Sequence, residues 1–311
     1  MPVFNKERRK ERRQQRKESR KARIQNAAEI IKDSVDKGVT VAERVSSGDI
    51  SLRKREDRIV RIGERALIIF SEFNESTESK KIMETLYGFV EKQGVAVATG
   101  ALSQLYDRII PCTGPSANLS QLIELFEDVL ADKSIQEIDL IWHGHGKCKD
   151  GSCYFSMAPV ELDDNKIEEG VANGIYQTNN VESVKSGKYY IDDIANAFEN
   201  LDADERLRMF YTTACYGEHL AKTLVNSGFS CGAGALLVNT NSAIEYPLFL
   251  KNWALSLPFG VALSNAFNQS RWRATDNFVR TVMDKKRFDE VDSTKRQFGD
   301  LSTTIRTNGD F

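Results

Sequence analysis

An α/β protein built on a central, mostly parallel sheet is what this sequence predicts, and three observations carry the prediction. Short apolar runs, ALIIF at 66–70, IDLIW at 138–142 and LRMFY at 207–211, have the near-continuous hydrophobicity of strands buried on both faces. Segments with helical spacing separate them; Leu119, Leu122, Ile123, Phe126, Val129 and Leu130 form the clearest. Two of the strands run into a reactive side chain flanked by small residues, His145 in HGHG and Cys215 in TACYG. A buried strand delivers a side chain to the carboxyl edge of a parallel sheet in this way.

The bulk numbers agree with a soluble globular chain. Of 311 residues, 41% are hydrophobic and 28% charged, with a net charge of −2. That total hides an asymmetry, because residues 6–23 carry eleven Lys/Arg against three Glu and leave the rest acidic. An anionic partner, nucleic acid or a membrane surface, is therefore considered for residues 6–23, while the body has no basic field. No run reaches the roughly 18–20 apolar residues of a membrane span, and the basic N-terminus lacks the apolar core of a secretory signal. A cytoplasmic location is expected. Five scattered cysteines read as reduced thiols rather than a disulfide framework.

In chain order, residues 1–63 read as a basic helical arm or prosegment. An apolar stripe at Ile24, Ala28, Ile31 and Val35 makes part of it amphipathic, and its many Lys and Arg would be sites for a peptidase cutting after basic residues. The domain proper spans 64–283. RALIIF (65–70) is the first strand, a helix runs from about 80 to 93, VAVATG (95–100) reads as a second strand, and a loop with Pro111, Gly114 and Pro115 leads to the helix at about 118–132. The strand ending in HGHG follows, which implies right-handed crossovers.

Residues 147–188 break the rhythm and read as an inserted loop, with KDGS between Cys148 and Cys153 a hairpin turn. YYIDDIANAFENL opens the next helix, LRMFYTT is the nucleophile-bearing strand, and GALLVNT (234–240) reads as the strand after it. WALSLPFGVALSNAFNQ gives further helix with a break at Pro258, and 284–311 reads as a polar C-terminal tail.

The chemistry expected here is thiol chemistry. A cysteine attacks as thiolate, so it needs a group that lowers its pKa. Cys215 has two: the N-terminus of the helix opening near Gly217, and an imidazole from the neighbouring strand end. His145 is the expected base; His143 shapes the turn, and His219, one helical turn past Cys215, points elsewhere. Amides of Gly146 and Cys215 are the expected oxyanion hole. Other chemistries lack their motifs: there is no G-x-S-x-G elbow, phosphate loop or G-x-G-x-x-G fingerprint. A zinc alternative uses His143, His145, Cys148 and Cys153, but their spacing matches no common finger, and two thiols flanking a turn also suit a cross-hairpin disulfide.

These residues resemble the caspase-like cysteine peptidases, the superfamily of caspases, metacaspases, gingipains, clostripain, legumain and separase. The shared signature is an apolar strand ending in His-Gly, here His143-Gly144-His145-Gly146, and a later one ending in a small residue and Cys, here Ala214-Cys215. The likeness runs from about Arg65 to Gln269 and includes ALIIF, IDDI and GALLVNTNS, closest to gingipain-like bacterial members. It implies a caspase-like three-layer sandwich and endopeptidase action on a protein or peptide substrate, with self-processing as a further expectation. It requires no cofactor, although some relatives are calcium-activated; Glu161, Asp163, Asp164, Glu168 and Glu169 are the acidic residues considered for that role. Two departures stand out. The separation of 70 positions between His145 and Cys215 exceeds the caspase spacing, and relatives that cut after Arg or Lys often carry Asp where this chain has Thr213. His143, Thr213, Glu245 and Trp253 are the weaker substrate-contact candidates, Trp253 competing with a core role. The competing function is a non-catalytic caspase-like module that docks through its basic arm.

Overall fold

The computed structural model describes residues 14, 18, 64–72, 94–159, 170–173, 181–270, 272–282 and 290–305. The arm of 1–63 (save Gln14 and Glu18), the helix expected at 80–93 and the acidic residues of 161–169 lie outside them.

Six strands form the central sheet: β1 (Glu64–Ser71), β2 (Arg108–Thr113), β3 (Ile135–His143), β7 (Leu207–Thr212), β8 (Cys231–Ala235) and β9 (Lys295–Gly299). Their order is β2-β1-β3-β7-β8-β9, parallel throughout except for β9, which pairs antiparallel with β8. Alternation within β1 explains how both faces are filled. Ala66, Ile68 and Phe70 join one core with α2 (Leu119–Ala131), α4 (Ile191–Glu199) and α5 (Gly217–Asn226). Leu67 and Ile69 join a second core with α1 (94–102), α6 (Ser242–Ala254) and α7 (Phe259–Gln269). Helices thus flank a mixed, mostly parallel sheet on both sides, as the apolar runs predicted.

The inserted loop is more regular than its polarity suggested. It contains a second, antiparallel sheet of β4 (Gly146–Lys149), β5 (Ser152–Ser156) and β6 (Lys188–Tyr190), with α3 (Val181–Lys185) just before β6. The KDGS turn forms as expected, and Cys148 and Cys153, opposite one another in register, are joined by a disulfide.

Four assignments need correction. VAVATG is helical, because Val97, Ala98, Ala101 and Leu102 share a buried face at helical spacing, and that packing overrides β propensity. RIIPCT, read as loop for its Pro111, is β2; it lies at the sheet's edge, where a strand tolerates the missing N–H. The strand after Cys215 is CGAGA rather than GALLVNT, since Gly234 and Gly217 let β8 and α5 approach. A Cβ at Gly234 would sit 2.1 Å from the Gly217 carbonyl group. The polar tail contributes β9, whose charged sequence suits an edge strand, and beyond α8 (Trp272–Val282) the chain returns at 290–294 to bond Leu236, Leu237 and Val238.

Buried charge also ties the strands together away from the carboxyl edge. Arg208 of β7 forks onto Asp139 of β3 at 2.9 and 2.7 Å and also reaches Glu137 and the Ile305 carbonyl. Asp139 further accepts the Tyr106 hydroxyl and the Met209 N–H, so its buried charge is fully partnered.

Candidate active site

The site arises where β3 and β7 end side by side. Their register pairs Trp142 with Thr212, and the Trp142 carbonyl accepts both the Thr212 hydroxyl and the Thr213 N–H at 3.0 Å. From here each strand delivers one reactive residue to the carboxyl edge. The sheet order also changes direction about β1, and in open α/β sheets ligands bind at the carboxyl ends of the strands near such a point.

Beyond β3 the chain is held by β1. The Glu72 N–H donates to the His143 carbonyl at 3.1 Å, and the Glu72 carboxylate accepts the His145 N–H at 2.9 Å. Downstream, the His145 carbonyl accepts the Ser156 N–H of β5 at 2.9 Å. The His145 backbone is therefore fixed on both sides. Its imidazole is partly exposed, and burial pushes its pKa below the ordinary value, so it is neutral and able to take a proton. The next residue, Gly146, packs directly on the Cys215 backbone: a Cβ there would meet the Cys215 carbonyl oxygen at 2.0 Å.

Beyond β7 the chain turns sharply. Ala214 donates its N–H to the Thr212 hydroxyl at 3.0 Å, Cys215 is partly exposed, and Tyr216 takes a left-handed conformation, φ 54° and ψ 21°. That conformation costs a non-glycine residue on the order of 1 kcal/mol and recurs at functional turns. Tyr216 is pinned by its N–H to the Leu237 carbonyl at 2.8 Å, and α5 begins at the following residue. The Cys215 Sγ thus lies at the N-terminus of a ten-residue helix and accepts the Asn239 N–H at 3.4 Å. Both donors favour a thiolate. The Asn239 side chain also reaches back to the Thr213 carbonyl at 3.0 Å.

The other thiols are placed very differently. Burial pushes Cys112 up to about 12 and raises Cys231 further. Among the described residues, Cys215 is the partly exposed cysteine outside the disulfide.

The weaker contact candidates fall inside the protein, not on its surface. His143 is fully buried, bonded through Nδ1 to Thr213 Oγ1 at 3.0 Å and set edge-on to Tyr246, while its Nε2 has no hydrogen-bond partner. Burial, reinforced by the charge of Lys295, lowers His143 to about 3; it stays neutral and braces β3 to β7. Thr213 is its partner and is itself buried. Glu245 has no exposure; Tyr211 donates to it at 3.1 Å and Lys295 lies 3.6 Å away. Trp253 stacks in the core and donates its indole N–H to Tyr106 at 3.1 Å, so the core reading replaces the pocket wall. All four side chains are buried.

The zinc set of His143, His145, Cys148 and Cys153 is not assembled: two of its members are bonded to each other and His143 points into the core. Among the described residues the donors close enough to share an ion are Cys148, Cys153 and His219, within 4.8 Å of one another.

Sequence reasoning missed three residues that shape the site. Glu72 could have been found as the polar residue at the carboxyl end of the first strand, and Asn239 as part of NTN after a small-residue strand. Lys295 left no signal, since it sits in a charged stretch. No helix among the described residues is long and apolar enough to cross a membrane. No family model matches the chain, and no curated protein is similar to it at a significant level.

Proposed function

We propose that this chain is a cysteine endopeptidase of the caspase-like kind, with Cys215 as nucleophile and His145 as general base. The single observation that carries the reading is the meeting of two adjacent parallel strand ends, which packs Gly146 onto the Cys215 backbone and leaves both reactive side chains partly exposed. The five parallel strands with an antiparallel sixth, helices on both faces and the HGHG and Ala-Cys motifs support the caspase-like assignment.

The chemistry follows from the placement. Cys215 Sγ attacks the peptide carbonyl as His145 takes the thiol proton, and the developing oxyanion is received by the Gly146 and Cys215 N–H groups. His145 then protonates the leaving amine, and water, activated by the same imidazole, hydrolyses the thioester. The α5 N-terminus and the Asn239 N–H stabilise the thiolate before attack. Recognition of Arg or Lys at the cleaved bond loses its two candidates, since Thr213 is tied to His143 and Glu245 to Lys295.

The test is hydrolysis of a diverse peptide library by the full chain. Cleavage that falls at least a thousandfold in Cys215→Ala and in His145→Ala, with thermal melting unchanged, supports the dyad. A library left intact by the wild type, or cut equally by Cys215→Ala, refutes it.

A further inference from the structure

The polar tail contributes a buried cation directly beneath the nucleophile turn. Lys295 opens β9, pairs in register with Ala235 of β8, and its side chain is only 1% exposed. Its Nζ donates to the Thr212 carbonyl at 2.7 Å, the last carbonyl of the strand from which the Cys215 turn springs. It also lies 3.6 Å from Glu245 and 4.8 Å from the centre of the Tyr211 ring.

A lysine is rarely buried without a reason, because desolvation of the ammonium is costly. Burial lowers Lys295 and raises Glu245, but each is eased by the other. Three contacts favour the charged pair. A carbonyl and a π face receive the ammonium, and the Tyr211 hydroxyl donates to the carboxylate. A negative charge on Cys215 would also favour the ammonium, against the effect of burial.

We propose that Lys295 is a positioning residue for Cys215: it anchors the Thr212 end of β7 and holds a positive charge under the thiolate. The inference takes Cys215 as the nucleophile proposed above. Around this thiol the groups that titrate or carry charge are His145 just past β3 and the buried His143 of β3, Glu72 just past β1, Tyr211 from β7, Glu245 from α6, Glu218 and His219 at the start of α5, and Lys295 and Arg296 from β9. Glu218 lies 3.9 Å from the Arg296 guanidinium. Of these, Lys295 is the buried cation.

The experiment is the rate of iodoacetamide alkylation at Cys215 in the full chain, followed by peptide mass from pH 5 to 9. Lys295→Met removes the cation but strands Glu245, so Lys295→Met/Glu245→Gln is measured beside it, with Lys295→Arg as the conservative variant. The midpoint of the pH–rate profile rises in both Met variants, stays near wild type in Lys295→Arg, and falls in Glu245→Gln, which leaves the cation without its counter-charge. For each pH unit of rise, the rate at pH 6 falls about threefold, because a more basic thiolate is also more nucleophilic. A merely structural role does not produce opposite shifts for the two partners. Midpoints unchanged in both Met variants, or raised by Glu245→Gln, overturn the inference. The readout needs no peptide substrate, so shifted midpoints in a protein that cleaves nothing sink the peptidase reading alone, and full peptidase activity with unmoved midpoints sinks this inference alone.

Discussion

Replacing Gly146 by alanine tests the packing on which the site depends. The added methyl would stand 2.0 Å from the Cys215 carbonyl oxygen and 2.7 Å from the Phe155 ring. Real contacts of this kind stay above 3.0 Å, so either the loop after β3 or the nucleophile turn must move by about 1 Å. Neither can move freely. The His145 N–H is bonded to Glu72 and its carbonyl to Ser156, while the Tyr216 N–H is bonded to Leu237. Overpacking of this size costs about 1–3 kcal/mol, and a displacement of about 1 Å between reacting groups costs about a hundredfold in rate. The expected melting temperature falls by about 2–4 °C per kcal/mol for a domain of this size. Peptide hydrolysis falls about a hundredfold in the population that remains folded. Gly151→Ala is the control: its φ of +83° strains an alanine, but nothing lies within 4 Å and the hairpin tip is exposed. It should lower the melting temperature without touching hydrolysis. Wild-type melting and hydrolysis in Gly146→Ala would refute the proposed contact.

Other expectations follow from the same geometry. His145 is lowered by burial, so the acidic limb of kcat/KM lies below the ordinary imidazole value of about 6.5; a limb at or above that value contradicts a neutral base. His143, with a folded pKa of about 3 against about 6.5 unfolded, binds a proton more readily in the unfolded chain. It therefore contributes stability that is full above 6.5 and is lost by about 1.4 kcal/mol per pH unit as pH falls toward 3. Urea midpoints of His143→Gln measured at pH 7 and 4.5 should fall less than those of the wild type, and equal slopes rule this out. Arg208→Met strands the Asp139 carboxylate in the core and should cost about 3–5 kcal/mol, whereas Arg208→Met/Asp139→Asn recovers part of the loss; thermal melts of the two distinguish them.

What the sequence revealed follows from burial. Strands β1, β3 and β7 lie inside the sheet, must be apolar on both faces, and so could be read directly, as could α2 with its complete helical stripe. His145 and Cys215 follow directly on two of these strands, so the place of both candidate residues at the carboxyl edge was legible too. The elements misread lie where other forces outweigh hydrophobic pattern. β2 and β9 are edge strands that need no continuous apolar run, and β8 is built of small residues because α5 presses on it. Lys295 and Glu245 illustrate the harder case: two charged residues 50 positions apart look solvated in sequence, and only the contacts they make in the fold, with each other and with Thr212 and Tyr211, make burial tolerable. The residues that support a site through backbone contacts, Glu72 and Asn239, carry little signature beyond their place at strand ends.

The most direct test of the dyad is labelling by a library of peptidyl acyloxymethyl ketones, which alkylate a thiolate poised to attack a carbonyl, followed by intact mass and peptide mapping. The account predicts one added label on Cys215 in the wild type. It predicts none on Cys112 or Cys231, and strong suppression in His145→Ala. Labelling spread across the thiols, or undiminished in His145→Ala, would contradict it.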